Sequence, residues 1–161
     1  AVICCARKRL WIQNPYFIPE PDAVAALVQA VKRGVDVRVM MPSTEASDLP
    51  IVQHAAHHLF GRLLAAGVRI FEYRKTLLHQ KVMTIDGVWS YIGSSNLDPR
   101  SLRLNFELDV EIYSRDTARQ IQNLIDLEIE EAEAISLESL SSIGFGKRLR
   151  NRLIWLASPY L

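Results

Sequence analysis

Cysteine is scarce in this chain, with two in 161 residues, and they are adjacent at Cys4 and Cys5. That spacing argues against a disulfide framework or a structural zinc site, so two reduced thiols are expected. Long apolar runs are missing as well: none approaches the ~20 residues that a membrane-spanning helix needs. No stretch with the make-up of a signal peptide occurs in the sequence, which opens at Ala1, and no internal repeat recurs along it. Net charge is only +1, which by itself points neither toward nucleic acid nor away from it.

What is present is an ordinary globular composition, 49% hydrophobic and 23% charged, in a chain long enough for one domain with a real core. Charge is segregated toward the end, acidic from Glu128 to Glu133 and basic from Lys147 to Arg152. Residues Val2 to Lys8 read as the last turns of an amphipathic helix that starts upstream, implying a piece of a longer protein.

Local patterns predict alternating strands and helices. Arg9 to Gln13 reads as a strand, and Asp22 is the expected N-cap of a helix carrying Val24, Leu27, Val28 and Val31, closed by Gly34. A buried strand follows at Val35 to Met41, then a helix from Pro50 to about Ala66, closed by Gly67. Val68 to Tyr73 is a strand. Val82 to Ile85 and Val88 to Ile92 form a hairpin joined by Asp86-Gly87, one of the strongest two-residue turn signals. Phe106 to Tyr113 is the last predicted strand, Thr117 to Ala134 a helix, Ser136 to Gly146 a linker, and Lys147 to Leu156 a short basic helix. The βαβ order calls for a parallel sheet with right-handed crossovers, and the hairpin makes that sheet mixed. The expected division is a catalytic domain over residues 1–135 and a linker with a basic tail over residues 136–161.

The hairpin also gathers chemistry. A two-residue loop sets Ile85 opposite Val88 and His79 opposite Ser94, with Lys81 and Asn96 on the same face. A lysine, a hydroxyl and an amide suit the non-bridging oxygens of a phosphoryl centre, where charge builds in the transition state. A neutral imidazole can attack phosphorus and form a covalent intermediate. Each of these residues taken singly is more often structural than functional, but their joint spacing has many fixed identities.

His79-x-Lys81, then Asp86, Gly93-Ser94 and Asn96, resembles the HKD signature of the phospholipase D superfamily. The resemblance implies an α/β fold, a phospholipase D-like α/β/α sandwich. It also implies that His79 is the nucleophile or the leaving-group acid, and that Lys81, Ser94 and Asn96 bind phosphate. Glu107 matches the glutamate that accepts a hydrogen bond from the histidine's other nitrogen. The motif places Asp86 in the catalytic set, although its position at the hairpin turn favours a structural role. Asn14-Pro15-Tyr16-Phe17-Ile18-Pro19, Gly34 to Val39, Gly93 to Asp98, Arg100-Ser101 and Leu156 to Leu161 look like the C-terminal half of bacterial cardiolipin synthases. That resemblance implies a phosphatidyltransferase acting on phosphatidylglycerol-like phospholipids at the bacterial cytoplasmic membrane. No metal or cofactor is expected.

Those synthases carry two HKD motifs and this chain carries one, so a second HKD domain, or a second copy in a homodimer, is the expected partner. The alternatives are a homodimeric single-motif phosphodiesterase, phospholipase D or nuclease, and a binding module without catalysis. Nucleic acid is not the expected partner. His54, His57 and His58 have metal-compatible helical spacing but lack an intervening carboxylate, and a solvated or half-buried helix face is the expected outcome. The tail mixes Arg and Lys with Leu, Ile and Trp, which suits either a helix on an anionic membrane or one docked on the core.

Overall fold

The structure, a computed structural model, describes residues 2–156. A seven-stranded mixed sheet runs through it in the order β6-β5-β4-β1-β2-β3-β7. Strands β1 (Arg9–Gln13), β2 (Asp36–Pro42) and β3 (Arg69–Tyr73) are parallel. Helices α1 (Pro21–Lys32) and α2 (Pro50–Ala65) connect them, and in each a proline opens the first turn, where a missing N–H costs nothing. The cap before α1 is Glu20 rather than Asp22, which lies inside the first turn because Pro21 already fixes the entry.

Side-chain alternation divides the core between the two faces of the sheet. Leu10, Ile12, Val37, Val39 and Ile70 pack with Leu27 of α1 and with Phe60 and Leu63 of α2. On the opposite face Trp11, Met40 and Phe71 meet Ile121 and Ile125 of α4 (Arg115–Glu130). The product is the expected α/β/α sandwich.

The hairpin of β4 (Val82–Ile85) and β5 (Trp89–Gly93) turns at Asp86-Gly87, both with positive φ as a tight hairpin turn requires. The Val88 N–H donates to the Ile85 carbonyl, yet Ile85 pairs with Trp89. Val88 is therefore an extra residue, and the register is one step from the two-residue expectation.

The second half of the chain departs furthest from expectation. The strand predicted over Phe106 to Tyr113 contracts to β6 (Asp109–Ile112), preceded by a short helix α3 (Pro99–Arg103) whose N-cap Asp98 accepts from the Ser101 N–H. It is not the last strand. Helix α4 stops at Glu130, and β7 (Glu133–Ile135) pairs antiparallel with β3. The predicted linker contains α5 (Leu137–Ser141), opened by a reciprocal Ser136–Ser139 capping box. Helix α6 (Phe145–Leu156) follows and packs on α2, with the rings of Trp155 and His58 4.7 Å apart. At the other end, residues Val2–Cys5 form a single 3₁₀ turn instead of α-helical turns, and Cys4 and Cys5 are exposed and unpaired.

Candidate active site

His79 and Lys81 sit in the irregular segment between β3 and β4. The ladder starts only at Val82, and the Gly93 N–H donates to the Lys81 carbonyl at 3.1 Å. The expected cross-strand pair of His79 with Ser94 is accordingly not formed, because the extra residue Val88 shifts the frame. The neighbouring pair is nonetheless close. Lys81 Nζ lies 3.0 Å from His79 Nδ1 and 3.2 Å from Nε2, and donates to the His79 carbonyl at 3.1 Å. His79 is exposed, whereas Lys81 is only 8% exposed, so the imidazole faces solvent with a buried ammonium behind it. Burial lowers the Lys81 pKa, and the nearby charges of Glu107 and Asp48 oppose that shift.

The segment's position is set by side chains. Between His79 and Lys81, Gln80 points to α4 and donates to Glu128 Oε1 at 3.2 Å, while Gln13 of β1 donates to the other oxygen. Lys75 pairs with Glu131 at 2.8 Å and Arg74 with Glu133. The acidic stretch at the end of α4 therefore fastens the segment that bears His79.

Glu107 does not contact His79. Its carboxylate accepts from Ser94 Oγ at 2.5 Å, Ser101 Oγ at 2.7 Å and Asn105 Nδ2 at 3.2 Å. The bonds from Ser94 and Ser101 hold it below the usual glutamate range. Ser94 is engaged once more, since its Oγ also accepts from the Leu108 N–H. The expected Glu107–histidine bond is replaced by this serine network because three donors lie closer to hand. Asn96 joins it through its backbone, which donates to Ser101 Oγ at 2.8 Å. Its side-chain Oδ1 is buried without a partner. Gly93 is required by close approach: a Cβ there would collide with the Asp109 carboxylate and lie 2.8 Å from the Tyr91 hydroxyl.

Asp86 stands at the far end of β4 from this cluster. Its carboxylate accepts the backbone N–H groups of Arg7, Lys8 and Arg9 at 2.9, 2.7 and 2.8 Å. These bonds lower its pKa against the cost of burial and tie the hairpin tip to the start of β1. The carboxylate's hydrogen-bonding capacity is thus spent on the backbone at the start of β1, as a structural clamp would spend it.

Tyr16 and Asp48 lie beside this cluster; the sequence offered Tyr16 only as part of a family-like segment, and Asp48 not at all. The Tyr16 ring stands edge-on to His79, with centroids 6.5 Å apart, and its hydroxyl donates to Asp48 at 2.8 Å. Burial and that carboxylate push the phenol up to about 12, so it stays protonated. Asn14 fixes this loop against the other, accepting from the Tyr16 and Leu97 N–H groups and donating to the Ser95 carbonyl. The three α2 histidines lie elsewhere: His57 bonds Glu72, His54 accepts from Arg150, and His58 packs on Trp155. Among the described residues no cluster has the make-up of a metal site.

With that geometry in place, residues 1–127 match the family described as cardiolipin synthase, PLD-like domain. The chain belongs to that family. It is 44% identical over 157 residues to cardiolipin synthase A of Pseudomonas putida strain W619, and 38% identical over 161 residues to cardiolipin synthase 2 of Bacillus anthracis. Those alignments cover 97% and 100% of this chain but 32% and 31% of those proteins, so this family member spans about a third of their length. Two solved structures share its fold. Phosphatidylserine synthase of Haemophilus influenzae superposes with a TM-score of 0.77 at 16% identity, covering 97% of this chain and 42% of that one. Nuc of Salmonella typhimurium, a phospholipase D family member, gives 0.69 at 21% identity, covering 83% and 86%.

Proposed function

We propose that this chain is one half of a cardiolipin-forming phosphatidyltransferase and that His79 is its nucleophile or leaving-group acid. The supporting observation is the pairing of an exposed imidazole with the buried Lys81 ammonium at 3.0 Å. In the nucleophile role, a neutral nitrogen of His79 attacks the phosphorus of phosphatidylglycerol. The P–N bond forms as the P–O bond to glycerol breaks, and the leaving oxygen takes a proton from a histidine of the second half. The hydroxyl of a second phosphatidylglycerol then attacks phosphorus, gives its proton back to that histidine and frees His79. Lys81, Ser94 and Asn96 hold the phosphoryl oxygens, and Glu107 acts by orienting the serines and by its charge on Lys81.

The second half would come from a longer chain or from a second copy. Leu104, Phe106, Leu108 and Val110 are all exposed beside the site, and an uncovered apolar strip of that kind suits a partner domain. Every proposed site residue falls in residues 1–135, which we take as the catalytic unit, with residues 136–161 appended. Such an enzyme would work at the bacterial cytoplasmic membrane, where its substrates reside. Among the described residues no helix is long and apolar enough to cross one.

The test is a quench during turnover with the chain mixed with the N-terminal half of a cardiolipin synthase. Acid-labile phosphate on His79 is expected, with His79→Ala removing label and activity, and EDTA leaving both intact. Net inversion at phosphorus, or activity without label, would overturn the covalent role.

A further inference from the structure

Helix α6 has two faces with different business. Its inner face is docked: Asn151 is 6% exposed, Ile154 and Trp155 pack with Ile18, Val52 and Ala55, and Arg150 reaches His54 at 3.2 Å. Leu149, Leu153 and Leu156, at i, i+4 and i+7, form one stripe on the side opposite, and they are 46%, 58% and 64% exposed. Arginines border the stripe. Arg148 and Arg152 lie on one side of it and Arg150 on the other, and all are exposed. Arg148 is held in place by the carbonyls of Ile143 and Ser141 at 2.7 and 2.8 Å.

We propose that this outer face of α6 is a lipid-binding surface that lies on an anionic bilayer, separate from the catalytic site. An apolar ridge between cations places leucines at the acyl boundary and guanidinium groups among phosphates, the arrangement of interfacial helices. A second exposed apolar strip among the described residues, Phe106, Leu108 and Val110, is interleaved in sequence with Glu107, Asp109 and Glu111 and not with cations. Charge complementarity therefore favours α6 for the bilayer. Because α6 is packed on α2, binding needs no coil-to-helix transition, and the helix arrives already ordered.

The test is flotation of the 161-residue chain with vesicles of equimolar phosphatidylserine and phosphatidylcholine, compared with phosphatidylcholine alone. Phosphatidylserine supplies the charge without being the proposed donor lipid. The wild type should float only with the anionic vesicles, and less so as salt rises. Leu149→Gln with Leu153→Gln should reduce partition by tenfold or more, and Arg152→Gln by on the order of fivefold. Both variants should keep the wild-type melting temperature, since the changed side chains face solvent. Flotation of the leucine variant equal to wild type, or no flotation of the wild type, would overturn the proposal. So would loss of flotation in Phe106→Gln with Leu108→Gln while the α6 variant still binds. His79→Ala should float like wild type, so a failure of the catalytic reading leaves this one standing, and the reverse.

Discussion

The two ends of β4 carry residues of one motif and are built in opposite ways. At the Asp86 end, backbone N–H groups of three successive residues converge on a carboxylate, and the chain is held rigidly. At the His79 end no strand ladder reaches the imidazole, and the segment is fastened through Gln80, Lys75 and Arg74 to acids on α4 and β7. One end is satisfied by its own protein, and the other leaves an imidazole exposed to solvent. Motif membership therefore does not assign a role. Where hydrogen-bond capacity is already spent does.

The sharpest way to break this comparison is at His79. His79→Ala should reduce transfer by ~10³-fold or more in the assembled enzyme with no change in melting temperature, since the ring is exposed. A variant that melts early while keeping activity would reverse the assignment of the two ends. Lys81→Met, which keeps the buried volume but removes the charge, should cost ~10²–10³-fold in turnover, measured by steady-state kinetics. Glu107→Gln should lower turnover by about tenfold and leave folding nearly unchanged, because glutamine still accepts from Ser94 or Ser101. Unchanged turnover would remove Glu107 from the site.

The smallest effect on chemistry, and the clearest on stability, is expected at the clamp. Asp86→Asn should cost about 1–2 kcal/mol, kept low by partial solvation of the turn, with activity per folded molecule preserved. The melting temperature would fall by about 2–8 °C. The sign with pH follows from the lowered Asp86 pKa. The clamp's contribution is complete above the unfolded aspartate value of ~3.9 and is lost as pH falls through the lower folded value. The gap in melting temperature between wild type and Asp86→Asn should hold from neutral pH down to about 5 and then close in stronger acid. A gap that widens in acid would mean that Asp86 is not clamped as a carboxylate.

Which parts could be read in advance follows from how local their causes are. Helix α2 was legible because proline starts it and glycine follows it, and α1 from its apolar stripe and closing glycine, with its cap expected two residues late. The short β7 was hidden because Glu133-Ala134-Ile135 continues the composition of α4, and only pairing with the distant β3 makes it a strand. The hairpin turn was readable, its register was not: Asp86-Gly87 specifies the bend, while the extra residue Val88 is decided by how β5 packs. The candidate site divides in the same way. His79, Lys81 and Asn96 share one short pattern, whereas the Tyr16–Asp48 bond joins loops 32 residues apart with no pattern to announce it. The expected partner of Glu107 was a histidine and the observed partners are Ser94, Ser101 and Asn105, because competition among nearby donors is settled only in three dimensions.

The side-chain tethers of the His79 segment bear on timing. A residue registered in a strand ladder is fixed to within the play of two backbone hydrogen bonds. His79 instead hangs between contacts made by the long, jointed side chains of Gln80, Lys75 and Arg74, which allow it a short radius of travel. In the proposed mechanism, a group that meets phosphorus, carries it and then lets it go would benefit from such jointed tethers. Their acids, Glu128, Glu131 and Glu133, lie at the end of α4, just after it and in β7, so under that proposal a strain bending that end of the molecule would alter the tempo of the reaction before it disturbed the fold.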